Sequence, residues 1–144
     1  MEFKTRAQIQ AVASTVTAPS VTQAHGRRPA MARREKLERW AALLDAHKRR
    51  LRPLPGIEFM TPQRRAMLRG EDSPLALAFS DPVLRTQGLA NDQLGHGTHF
   101  FELTSSQAHH LLCDCYYGGR MTAKELAARV RFTARHPILS TFIW

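Results

Sequence analysis

Cysteine is nearly absent from this sequence: the only two, Cys113 and Cys115, sit two positions apart in 144 residues. Cysteines at that spacing do not readily reach disulfide geometry within a helix, so a disulfide-stapled framework is excluded and a reducing, cytoplasmic setting is expected. Long apolar runs are lacking as well. No stretch approaches the roughly 18–20 consecutive apolar residues of a membrane-spanning helix, and the first residues lack the unbroken apolar core of a secretory signal. A soluble chain with no membrane partner is the expectation. Cys-x-x-Cys pairs and a His-Glu-x-x-His helix, two familiar zinc signatures, are missing too. Acidic residues are scarce beside the bases: 12 Asp and Glu stand against 21 Lys and Arg, a formal charge of +9.

That charge is unevenly placed. Residues 31–69 carry eleven bases against Glu35, Glu38, Asp45 and Glu58, whereas residues 70–144 carry six against seven acids. Any contact with a polyanion is therefore expected before residue 70. The chain has material for one modest core. Residues 1–30, rich in Ala, Ser, Thr, Val and Gln with Pro19 and Pro29, bury little and read as a mobile or disordered arm, a composition that also suits an organelle transit segment. A single helical domain is expected over 31–136 and an apolar tail over 137–144.

Between Ala32 and Arg52, Leu37, Trp40, Leu44, His47 and Leu51 recur every three or four residues, which predicts one long helix. Glu35 with Arg39 and Asp45 with Arg49 stand at ion-pair spacing, and the His47–Arg52 run suits the negative end of a helix dipole. Pro53, Pro55 and Gly56 stop it. Thr61-Pro62, Ser73-Pro74 and Asp81-Pro82 each pair a cap residue with proline at the first helical position, predicting three short helices, with Gly70 closing the first and Gly88 the last. Asn91–Thr98 reads as loop, and residues 99–103 admit one short extended segment.

Thr104 with Gln107 forms a capping box and Leu103 with Ala108 a hydrophobic staple, so the stretch holding His109, His110, Cys113 and Cys115 reads as a helix ended by Gly118-Gly119. Its expected core face is Ala108, Leu111, Leu112 and Cys115. Thr122 and Glu125 repeat the box, with Met121 and Leu126 as staple, and Ala123, Leu126, Ala127, Val130 and Ala134 make the next buried stripe. The fold class expected is mainly α: a small irregular helical domain with a C-terminal αα-hairpin. After His136-Pro137, the tail Ile138–Trp144 must dock or self-associate.

Gly95-His96-Gly97-Thr98-His99 resembles the histidine motif of subtilisin-like serine proteases. The aspartate motif and the Gly-Thr-Ser-Met-type nucleophile motif that complete that family's triad are missing, so no triad role is carried over. Met121–Val130 resembles the first helix of a helix-turn-helix unit, whose turn would carry glycine where Arg131 stands and whose recognition helix would follow where Pro137 and the tail lie. Both segments read instead as architecture.

Two functional expectations remain. The first is a small non-catalytic interaction or regulatory protein touching nucleic-acid backbone without sequence preference through residues 27–69, with Arg33, Arg34, Lys48, Arg49, Arg50, Arg52, Arg64, Arg65 and Arg69 as contacts. The alternative is a zinc or thiol site, in which His109 and Cys113, four apart on one helical face, are joined by His96 or His99.

Overall fold

A computed structural model describes residues 29–113 and 122–143. The arm expected over residues 1–30 and the glycine turn of the expected hairpin thus lie almost wholly outside the described residues, as does Cys115. Among the described residues the fold is mainly helical, without strand or sheet. Its helices are α1 (Arg33–Ala46), α2 (Pro62–Ala66), α3 (Pro74–Ser80), α4 (Pro82–Thr86), α5 (Leu94–Phe100), α6 (Ser105–Leu112), α7 (Ala123–Arg135) and α8 (Leu139–Phe142), with a 3-10 turn at Ile57–Phe59. No described helix is long and apolar enough to cross a membrane.

The centre of the fold is α1 packed on α7. Leu37, Trp40, Ala41 and Leu44 are buried on α1 at the predicted helical spacing. They meet Leu126, Ala127, Val130 and Ala134 of α7, most of them fully buried. Trp40 stacks on Phe101 with ring centroids 4.6 Å apart, and its indole N–H donates to the Pro74 carbonyl at 3.0 Å, so the largest core side chain is satisfied at both its apolar and polar ends. The seam is edged by ion pairs: Glu38 with Arg135 at 3.0 Å, and Asp45 with Arg131.

These pairs correct the sequence reading, because Arg39 turns from Glu35 to Asp81 and Asp45 turns from Arg49 to Arg131. Glu35 instead accepts from the Ala32 N–H at 3.0 Å at the helix start. Helix α1 also ends six residues earlier than the expected Arg52, with His47 in extended conformation. The physical reason is tertiary. From His47 on, the chain stretches so that Arg52 N–H reaches the Asp72 carbonyl at 3.0 Å and Leu54 N–H reaches the Leu112 carbonyl at 2.8 Å, burying Leu51 and Leu54. A continuing helix would have given up both bonds and stacked Lys48, Arg49, Arg50 and Arg52 within about two turns.

The three proline-started helices form as predicted, with Thr61, Ser73 and Asp81 accepting from the N–H three residues on. Gly70 does not close α2, which ends at Ala66. Residues 94–100 are helix rather than loop, and 99–103 are the end of that helix and a turn rather than an extended segment. Glycine is used there for closeness. A β-carbon on Gly95 would lie 3.0 Å from the backbone of Ala66, and one on Gly97 would lie 2.6 Å from Leu75 Cδ2, so α5 rests on α2 and α3 at a spacing only glycine permits. The protease-like motif is thus a helix-packing surface.

The capping box at Thr104 and Gln107 is present, and Ala108, Leu111 and Leu112 are buried as expected. Cys113 ends α6 in extended conformation and forms an isolated parallel bridge with Leu54. Gln107 does more than cap: its side-chain oxygen accepts from Thr104 N–H at 3.0 Å, while its amide nitrogen reaches the Pro137 carbonyl at 2.9 Å and Ser140 Oγ at 2.8 Å. The tail therefore docks through its polar side. Ser140 is buried, whereas Ile138, Phe142 and Ile143 are mostly exposed.

Candidate functional site

The basic residues expected to meet phosphate divide into two groups. Three are tied into the fold. Arg33 donates to the carbonyls of Glu102 and Thr133 at 3.2 and 3.4 Å and to Gln107 Oε1 at 3.4 Å, and burial holds its guanidinium below its ordinary pKa despite the opposing pull of Glu102. Arg69 pairs with Asp92 at 2.7 Å. Arg65 turns into a cavity described below. The others, Arg34, Lys48, Arg49, Arg50, Arg52 and Arg64, are exposed.

Lys48, Arg49 and Arg50 share a surface depression with His47 and with Thr122, Ala123 and Lys124 at the start of α7. No carboxylate belongs to its lining among the described residues, and none of these four cations enters an ion pair there. The positive end of the thirteen-residue α7 opens at the same place. His47 Nε2 is buried nearby without a hydrogen-bond partner among the described residues. Lys124 is the member that sequence reasoning missed, since it lies in the nearly neutral half and arrives only through the packing of α7 on α1.

The histidines and cysteine considered for zinc are placed apart in role. His96 Nε2 accepts from Ala90 N–H at 2.9 Å, closing a local turn. His99 is exposed at the end of α5. The Cys113 thiol is fully buried and donates to Glu58 Oε2 at 3.0 Å. His109 Nε2 stands 3.4 Å from Arg65 Nη1. Among the described residues no group of three or more His, Cys, Asp or Glu side chains is placed to hold a metal ion.

What the structure does assemble around His109 is a cavity of about 250 Å³ between the 3-10 turn, α2, α5 and α6. Ile57, Pro62, Ala66, Leu94 and Ala108 supply apolar wall, and Arg65 and His109 supply polar edge. Arginine only donates, so His109 Nε2 is the acceptor and its other ring nitrogen carries the proton of the neutral form. Burial, then the adjacent Arg65 charge, depress the His109 pKa, with Glu58 opposing them. Arg65 Nη2 donates to the Met60 carbonyl at 3.1 Å, while its Nε is buried with no partner among the described residues. A cation with unused donors thus faces an apolar hollow.

Comparison with protein-family models, with curated proteins and with solved structures found no match. The functional reading therefore rests on these two surfaces.

Proposed function

We propose that this protein is a non-catalytic interaction module that contacts nucleic-acid backbone, without reading sequence, through Lys48, Arg49, Arg50, Arg52 and Lys124. The observation that carries the reading is the gathering of Lys48, Arg49, Arg50 and Lys124 around one depression whose described lining contains no acid. Phosphate oxygens accept from such side chains and from the N-terminal N–H groups of a helix, and neutralising them releases condensed counterions. The extended backbone after Ala46 favours this use, because it displays the cations on an exposed strap. Aromatic side chains do not interleave with the strap, so base stacking is not part of the proposal.

Fluorescence anisotropy of a short labelled duplex, titrated at several salt concentrations, tests it. The wild-type affinity should fall steeply with salt, and the combined variant Lys48→Glu, Arg49→Glu and Arg50→Glu should abolish measurable binding, whereas Arg69→Glu, at a residue already paired with Asp92, should change it little. Replacing the three strap residues by Gln should lower the salt slope by about 3. Salt-independent binding, or binding that survives reversal of the strap, would remove the proposal.

A further inference from the structure

We infer that the cavity between α2, α5 and α6 is a binding site for a small apolar monocarboxylate, a benzoate-sized acid whose carboxylate is held by Arg65 beside His109. The site shares no residue with the basic strap, and the two proposals stand or fall separately. Three features on the cavity's own wall define the ligand.

Size comes first. A volume of about 250 Å³ exceeds the roughly 150 Å³ that accepts a benzene ring and falls just short of the roughly 300 Å³ at which ordinary ligand pockets begin. One ring or a short branched chain matches that volume. The wall is next. Ile57, Pro62, Leu94 and Ala108 reward an apolar body, which inorganic phosphate or sulfate does not have.

The third feature is the head group. Arg65 enters none of the ion pairs among the described residues, and of its five N–H donors two are directed, one to His109 and one to the Met60 carbonyl. Its Nε is buried and unpartnered, and one N–H on each of Nη1 and Nη2 is left for an acceptor in the cavity. A planar carboxylate matches two adjacent guanidinium donors. Burial and then the Arg65 charge lower the His109 pKa, and an anion bound beside the ring raises it again, which gives the site a titration readout.

The test uses the whole chain and benzoate as probe, with benzyl alcohol as the uncharged analogue. Benzoate should raise the melting temperature saturably, and benzyl alcohol should do so at least tenfold more weakly. Arg65→Gln should weaken benzoate binding at least tenfold, whereas Arg64→Gln, which removes the same charge from the exposed neighbouring position, should leave it within twofold. In the wild-type protein, independently of whether Arg65→Gln folds, saturation with benzoate should shift the His109 ring resonances and move their titration to higher pH. A linear rather than saturable response, equal effects of the two arginine variants, or unmoved His109 resonances would each overturn the assignment.

Discussion

Asp81 joins two jobs in one carboxylate, and removing it separates them quantitatively. Its Oδ2 accepts from Leu84 N–H at 3.1 Å, capping α4, and its two oxygens accept from Arg39 Nε and Nη2 at 2.6 and 2.9 Å. The cap contributes about 1 kcal/mol. The Asp81 side chain is 5% exposed but the Arg39 side chain is 38% exposed, so the freed guanidinium returns to water and the ion pair contributes about 1 kcal/mol rather than the larger loss of a fully buried pair. Asp81→Ala should therefore cost about 2 kcal/mol, a fall of roughly 8 °C in melting temperature for a domain of this size. Asp81→Ser keeps a capping oxygen while removing the charge, and should recover about half of that loss. Calorimetry of both variants decides the matter. Equal destabilisation by Ser and Ala would refute the capping share, and an Asp81→Ala protein melting with the wild type would refute both.

The same site gives a pH dependence whose sign follows from the pairing. The bonds from Arg39, and secondarily those from the Leu84 and Val83 N–H groups, hold the Asp81 carboxyl below the usual aspartate range against the opposing effect of burial. The unfolded chain then binds this proton more readily than the folded one. The contribution is complete above the ordinary aspartate pKa of about 4 and is lost as pH falls through the lower folded value. In Asp81→Ala that acid-side loss should be absent.

Four further outcomes are expected. Gly95→Ala should lower stability by about 1–2 kcal/mol in thermal melts even though alanine is the better helix former, because its β-carbon meets the Ala66 backbone at 3.0 Å; a stabilised variant would contradict the close approach. Gln107→Leu should cost about 2–3 kcal/mol and speed amide exchange in α8, since it strips the links to Thr104, Pro137 and Ser140 together, and an unchanged exchange pattern would show the tail to be held otherwise. Phe142→Ser should leave the melting temperature within about 1 °C, because that ring is 79% exposed, whereas Ser140→Leu at the buried position of the same turn should unseat the tail. The depressed His109 pKa predicts stability that is full above the ordinary histidine value of about 6.5 and declines as pH falls toward the folded value; NMR titration of the ring checks the direction.

Much of the architecture was written in short-range signals. Cap residues before Pro62, Pro74 and Pro82, the Thr104 box and the Thr122 cap act within one turn of chain, and all five helices begin where those signals stand. The failures share a different physics. The end of α1 is decided by bonds from Arg52 and Leu54 to Asp72 and Leu112, and the partners of Arg39 and Asp45 by helices far along the chain. Helix α5 was hidden because Gly95 and Gly97 are poor helix formers whose merit, the missing β-carbon, exists only against Ala66 and Leu75. No periodicity or spacing carries that information.

The candidate sites follow the same division. The strap of Lys48, Arg49 and Arg50 was visible as composition, and its place beside Lys124 was not. The cavity shows the point more sharply, because it draws Arg65 from residues read as phosphate contacts and His109 from residues read as zinc ligands. Arg65 arrives on α2 and His109 on α6, and α5, whose Gly95 yields room to Ala66 of α2, lines the same cavity. The glycine-histidine stretch that resembled a protease motif thus contributes to a site after all, through the atoms it lacks rather than through its histidines. It follows that Gly95→Ala should weaken benzoate binding along with stability, as its β-carbon presses on Ala66 and displaces α2, and with it Arg65, at the cavity wall, while Gly97→Ala, which presses on Leu75 instead, should act on stability alone.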